Sequence, residues 1–231
     1  MQLALMQPYF LPYIGYWQLM HASSRFIVHD KIEYSKGGWI NRNRAFNDEI
    51  FTIPLAKHSD HCEIRQLQIA NSWPKERDKL LRKIRGFYGK AKNFNFTYPM
   101  IEDIFLCDAK NLHFFIFNSI LKIKNYLKIH CDIDWASETF VPSELKGSEM
   151  VKAYCQKRNA STYVNAIGGQ EIYKKKHFKK IGVDLKFVET KSFKYSRGAN
   201  PEIFGLSILD LLMYNHREEA IDFVGRYRLI C

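Results

Sequence analysis

No Asp, Glu, Lys or Arg occurs before Arg25, although the whole chain carries 35 basic and 24 acidic residues. The uncharged stretch runs Leu3-Ala4-Leu5-Met6-Gln7-Pro8-Tyr9-Phe10-Leu11-Pro12-Tyr13-Ile14-Gly15-Tyr16-Trp17. An apolar run followed by two prolines and a glycine predicts a strand leaving the core, a tight turn and the start of a helix. In an α/β protein such a junction is where ligands bind, because a helix N-terminus offers free N–H groups there.

The following residues extend that pattern. Residues 3–6 read as a strand, 12–24 as a helix and 25–30 as a second strand, a βαβ unit that requires a right-handed crossover and a parallel sheet. Asp30 then stands at the carboxyl end of the second strand. Residues 161–165 read as a strand, Gly168-Gly169 as a turn, 170–180 as a helix stopped by Gly182, and 183–188 as a strand. Two such units predict an α/β fold with an open, doubly wound, mostly parallel sheet. Strands are also expected at 50–55 and 63–69, helices at 72–88, 99–128 and 149–157, and a loop or short edge strand at 135–146. The chain reads as one domain, 1–231, with a helical insertion or subdomain at 72–130. Residues 192–205, rich in glycine and polar groups, read as a mobile loop over the site, and a last helix starts at Ser207.

Net charge bounds the partners. At +11 the chain calls for an anionic ligand such as nucleic acid, a nucleotide or a sugar phosphate. The basic residues cluster at 75–92 and 174–180, where a solvated helix face is the simpler explanation. Five cysteines without CxxC or paired spacing suggest neither a disulfide framework nor a zinc ribbon, and a reducing cytoplasm is expected. The opening lacks a basic leader and carries Gln2, Gln7 and Gln18, so neither a targeting peptide nor a membrane span is expected.

Walker, GxGxxG, GxSxG and HExxH motifs are absent, and no cofactor or metal is expected. His58-Ser59-Asp60-His61-Cys62 holds imidazole and thiol donors without a second ligand pair, and reads as a surface loop. Ser207 with Asp210 before an apolar run reads as a helix cap in preference to a nucleophile and base. Trp39-Ile40-Asn41-Arg42-Asn43-Arg44 combines a ring, two amides and two guanidiniums, a set suited to a polar anion. Bracing of its own loop is the alternative.

The motif Gln7-Pro8-Tyr9-Phe10-Leu11-Pro12-Tyr13-Ile14-Gly15-Tyr16, then Asp30, then Trp39-Ile40-Asn41-Arg42-Asn43, resembles the WbqC-like family, whose members open HQPxYFPWxGY and continue with a tryptophan and an NRN tract. Thr162-Tyr163-Val164, Gly168-Gly169, Gly182-Val183-Asp184-Leu185 and Leu206-Ser207-Ile208-Leu209-Asp210-Leu211-Leu212 are similar to its later landmarks. Met6 stands where the family has histidine, and Tyr13 where it has tryptophan. The opening is also similar in placement to the H-x-G-H turn of nucleotidylyltransferases and class I aminoacyl-tRNA synthetases. Tyrosines stand here in place of the histidines, which supports a Rossmann-like or HUP-like architecture but argues against adenylyl transfer.

The family resemblance implies a bacterial enzyme of O-antigen or other surface-polysaccharide biosynthesis. The expected activity is a transferase that acylates or aminoacylates a nucleotide-linked amino sugar. Asp30 and Tyr16 are then the catalytic candidates. Gln7, Tyr9, Phe10, Tyr13, Gly15, Trp39, Asn41, Arg42, Asn43, Asn165, Gly168, Gly169 and Ser207 are the candidates for binding. An aminoacyl-tRNA-dependent transferase, with tRNA on the basic helix, and a non-catalytic assembly protein are the alternatives. Partners expected are the nucleotide sugar or another anionic small molecule, tRNA, and a second copy of the chain.

Overall fold

The computed structural model describes residues 1–198, 200, 203 and 205–231. Its main sheet has six strands: β1 (Gln2–Met6), β2 (Arg25–Val28), β5 (Asp132–Trp135), β6 (Thr162–Ala166), β7 (Asp184–Thr190) and β8 (Tyr227–Ile230). Their order across the sheet is β5-β2-β1-β6-β7-β8. All neighbours run parallel except β7 and β8. Strand β1 pairs Leu3 to Met6 with Arg25 to Val28 of β2, as the βαβ reading requires. The intervening α1 (Ile14–His21) is shorter than expected, and at its start Tyr13, the cap position, stays extended.

Alternation along the strands sorts side chains to two cores. Leu3, Leu5, Ile27, Tyr163, Leu185 and Phe187 pack against α5 (Gly147–Lys157) and α6 (Lys175–Lys179). Ala4, Phe26, Val28, Val164 and Val188 face the opposite way. There they meet α1, α2 (Trp73–Tyr88), α3 (Phe94–Phe105), α4 (Leu112–Tyr126), α7 (Ile208–Tyr214) and α8 (Arg217–Gly225). Each large apolar side chain buried in this way contributes about 1.5–3 kcal/mol.

Three further expectations differ from the fold observed. Residues 99–128 form two helices, because the Asn111 side chain accepts hydrogen bonds from His113 N (3.0 Å) and Phe114 N (3.3 Å) and starts α4 afresh. Residues 63–69 are not a strand: Glu63 and Gln66 make a reciprocal capping box around a single 3₁₀ turn, Ile64–Gln66. Residues 170–180 form only a 3₁₀ turn, Ile167–Glu171, and the short α6. Like charges four apart, Lys175 with Lys179 and Lys176 with Lys180, oppose a longer helix.

The Asn-Arg-Asn-Arg tract is itself a strand. β3 (Arg42–Ala45) pairs antiparallel with β4 (Glu49–Thr52) as a separate hairpin. Its alternation buries Asn41, Asn43 and Ala45 and leaves Arg42 and Arg44 half-exposed. No helix of the described residues is long and apolar enough to cross a membrane.

Candidate functional site

The loop from Pro8 to Tyr13 leaves β1 at the middle of the sheet and is held from two distant parts of the chain. Leu11 adopts φ +46°, which a bulky residue keeps only when its surroundings enforce it. Asn43 Nδ2 donates to the carbonyls of Phe10 (3.0 Å) and Leu11, and Ser207 Oγ donates to Leu11 O at 2.7 Å. Ile208 N donates to Pro12 O at 3.1 Å. Asn41 braces the hairpin in the same manner, donating to Ile53 O and accepting from the Tyr34 hydroxyl. Phe10 is fully buried against Phe51, Phe105 and Phe115. The buried Tyr16 donates to Gln7 O at 3.2 Å. Phe10, Tyr16, Asn41, Asn43 and Ser207 therefore build the loop, with their polar groups spent on backbone or on one another.

Other residues of the opening face outward. Tyr13 is 37% exposed and its ring lies across Gly15, where an added Cβ would come within 2.4 Å of it. The residue must be glycine for the ring to lie there. Tyr9 is half-buried and donates to Asn43 Oδ1. Burial pushes its hydroxyl pKa up, the neighbouring Tyr13 adds to the shift, and Arg44 opposes it. Arg44 pairs with Asp48 at 2.7 Å and lies with Arg42 beside the exposed ring of Trp39, at 5.9 and 5.4 Å. Gln7 is exposed at the end of β1. The result is a patch of aromatic and cationic groups.

A cavity of about 500 Å³ adjoins this patch. Tyr13 and Ile14 form one wall, Thr190 to Tyr195 and Arg197 another, and Leu206 to Ile208 with Leu211 a third. The interior is largely apolar, with Lys191 and Lys194 among the lining residues. Phe193 and Tyr195 lie with rings nearly parallel, 6.3 Å between centroids. Part of this wall falls in the loop expected at 192–205, of which Ala199, Pro201, Glu202 and Phe204 lie outside the described residues.

A buried ionic network holds the cavity wall from behind. Asp210 is fully buried and accepts from Arg197 Nε (2.8 Å), Arg197 Nη2 (2.9 Å), Tyr88 Oη (2.9 Å) and Tyr195 Oη (2.8 Å). Arg197 also donates to Phe46 O, whose own N–H reaches Tyr88 Oη. Burial and the negative charge of Asp210 push both tyrosine pKa values up, so the hydroxyls remain protonated donors. Ser207 caps α7 through Leu209 N, as its motif predicts, while Asp210 turns to Arg197 instead of back to the cap. A lone carboxylate within the apolar run Leu206–Met213 was the sequence signal for this network. The alternation Phe193, Tyr195, Arg197 was the signal for the wall.

The remaining candidates lie elsewhere on the carboxyl edge of the sheet. Asp30 follows β2 and is 1% exposed, and its Oδ1 accepts from Ser137 N at 3.0 Å. It is not among the described residues lining the cavity. Its charge acts on the buried His29 and His113. Asn165 is the penultimate residue of β6, accepts from Ala166 N, and lies over Gly169, where a Cβ would come within 2.8 Å of its amide; Gly168 borders open space. In the His58–Cys62 loop, His61 meets Glu33 at 3.1 Å. Among the described residues no group of three or more His, Cys, Asp or Glu is placed to hold a metal ion. On the basic helix α2, Lys79 pairs with Glu76, Lys83 with Glu49 and Arg85 with Glu102, which lowers the charge available to a polyanion.

Comparison with known proteins fits the organisation of this edge. The model of the WbqC-like protein family matches residues 7–222, a span that begins at Gln7 and takes in the opening loop, the hairpin and α7. The chain belongs to the WbqC-like family. Within the curated proteins it is similar to an uncharacterised protein of Mycobacterium tuberculosis, Rv1507c, at 25% identity over 96% of this chain and 97% of the relative. No solved structure matches significantly. The WbqC-like span therefore covers both the loop anchors and the Asp210 network.

Proposed function

We propose that this WbqC-like protein is a transferase of bacterial surface-polysaccharide biosynthesis that modifies a nucleotide-linked amino sugar. The observation that carries the reading is the position of Tyr13, shared between the cationic aromatic patch of Tyr9, Trp39, Arg42 and Arg44 and the apolar cavity. The patch suits the phosphates and base of a nucleotide sugar, through guanidinium forks and ring stacking. The cavity lies within the size range of small-molecule sites and suits the acyl or aminoacyl group to be transferred. Counted in chain order, the main strands run 3-2-1-4-5-6, the order of Rossmann-like nucleotide-binding sheets, in which ligands sit outside the carboxyl ends where the order reverses. Here that point lies between β1 and β6.

Thermal unfolding in the presence of a panel of nucleotide sugars tests the reading. A ligand at a hundred times its Kd stabilises by about 2.7 kcal/mol. For a chain of this size that raises Tm by roughly 5–10 °C. Tyr13→Ala abolishes the shift while leaving the unliganded Tm near its original value. A panel in which no nucleotide sugar raises Tm removes the reading.

A further inference from the structure

We infer that residues 167–180 dock the protein onto an anionic lipid bilayer, with lysines meeting the headgroup phosphates and two exposed isoleucines entering the interface beneath them. The segment comprises the 3₁₀ turn Ile167–Glu171 and the short α6. Between Lys174 and Lys180 it carries five lysines and no acidic residue. All five are exposed, whereas Phe178 of the same helix is fully buried and Tyr173 rests on the rings of Tyr163 and Phe178. The apolar rings thus pin the segment to the sheet and leave its charges outward. At about 1.5 Å per helical residue the run spans roughly 9 Å, close to the screening length at physiological salt, so the five charges act together.

Neutralisation separates this run from the other basic helix. On α2, Lys79, Lys83 and Arg85 each pair with a carboxylate. Among the described residues none of Lys174, Lys175, Lys176, Lys179 and Lys180 makes an ion pair, and Lys174 Nζ reaches only the Gln170 carbonyl, at 3.4 Å. An external anionic surface relieves the mutual repulsion of such lysines. The isoleucines decide which surface. Ile167 opens the 3₁₀ turn and Ile172 follows it, 40% and 63% exposed, which at about 2 Å per residue sets them roughly 10 Å apart. A single-stranded nucleic acid is held by exposed rings on which its bases stack, but the ring of Tyr173 is turned to the core. Aliphatic side chains beside lysines match the boundary between headgroups and acyl chains, where apolar groups leave water while cations stay at the phosphates. Ile167 directly follows β6, the neighbour of β1 in the sheet, so the docked face begins on the same edge as the opening loop.

Sedimentation of the full chain with vesicles tests the inference. Vesicles of phosphatidylglycerol and phosphatidylcholine in equal parts are expected to carry the protein down, and vesicles of phosphatidylcholine alone to leave it in solution. Each lysine near an anionic surface contributes about fivefold in partitioning, so Lys175→Ser with Lys176→Ser lowers it about thirtyfold. Ile172→Ser lowers it about tenfold, and Lys79→Ser with Lys83→Ser on α2 leaves it unchanged. All these side chains are exposed, and an unchanged Tm confirms that each variant is folded. Equal losses for the α2 and α6 pairs, full binding by Ile172→Ser, or sedimentation indifferent to phosphatidylglycerol overturns the inference. Mixed-sequence RNA is the second probe: RNA binding that Lys175→Ser with Lys176→Ser abolishes, in a protein that sediments with neither vesicle, assigns the surface to nucleic acid and overturns the bilayer. The result is independent of the transferase reading, which stands or falls on nucleotide sugars.

Discussion

Arg197 and Asp210 form a salt bridge at 2.8 Å with both side chains shut off from water, 2% and 0% exposed. A charge pair so placed is not itself a large source of stability, but removal of one partner leaves the other charge uncompensated.

Asp210→Ala is therefore expected to destabilise the fold by about 3–5 kcal/mol in urea titration. The substitution leaves the charge of Arg197 uncompensated and removes the acceptor of the Tyr88 and Tyr195 hydroxyls. The double change Arg197→Met with Asp210→Leu is expected to cost clearly less than the sum of the single losses, because no lone charge remains. Additive losses in that cycle would contradict the role assigned to the pair.

Ser207→Ala separates capping from buried-charge effects. It removes the bond to Leu209 N and the bond to Leu11 O. A loss of about 1–2 kcal/mol is expected, smaller than that of Asp210→Ala. A larger loss for Ser207→Ala would reverse the ranking of loop anchor and ionic network.

Gly15→Ala probes the ring of Tyr13 without touching the core. The added methyl meets the Tyr13 ring, which can swing outward, so unliganded stability changes by less than about 1 kcal/mol. Affinity for a ligand seated against Tyr13 is expected to fall roughly tenfold, in line with a loss of about 1.4 kcal/mol. Equal ligand affinity in the two proteins would show that the ring position is immaterial.

Acidification is expected to weaken the fold through two histidines. Burial lowers the pKa of His29 and of His113 below 6.5, against the opposing charge of Asp30; Lys31 adds to the shift at His29 and Glu63 opposes it, and Arg65 adds to it at His113. The unfolded chain then binds more protons than the folded one just below pH 6.5, so stability rises with pH through that window. The contribution is complete above pH 6.5 and is lost as pH falls toward the folded-state values. The slope is at most about 1.4 kcal/mol per pH unit for each histidine. Urea titrations at a series of pH values should show this slope, and His29→Gln with His113→Gln should flatten it.

The two βαβ units were legible because strand and helix periods differ and glycines mark their turns; Leu3–Met6 and Val183–Val188 needed only local information. The long-range bonds of Asn43 and Ser207 to the carbonyls of the opening loop were not, since a side chain bound to a distant carbonyl looks in sequence like one free for a ligand. Trp39 and the two arginines were read as one cluster with the asparagines, and strand alternation divided them into braces and surface groups. The edge strand β5 and the antiparallel β8 depend on tertiary pairing and carry no strong pattern of their own. The stretch 192–205 was legible as a loop over the site, but its apolar cavity wall of Phe193 and Tyr195 was not, because a polar, glycine-containing stretch reads as a loop whether or not it lines a cavity.

The shared carbonyl of Leu11 has a consequence for biogenesis. One of its two anchors lies 196 residues downstream, so it leaves the ribosome long after the loop itself. At typical synthesis rates that interval is about 10–40 s. During it the aromatic opening has lost its shelter without having gained its final brace. A nascent chain stalled short of Ser207 therefore exposes Tyr9 and Tyr13 on an unlocked loop, a natural target for chaperones and proteases.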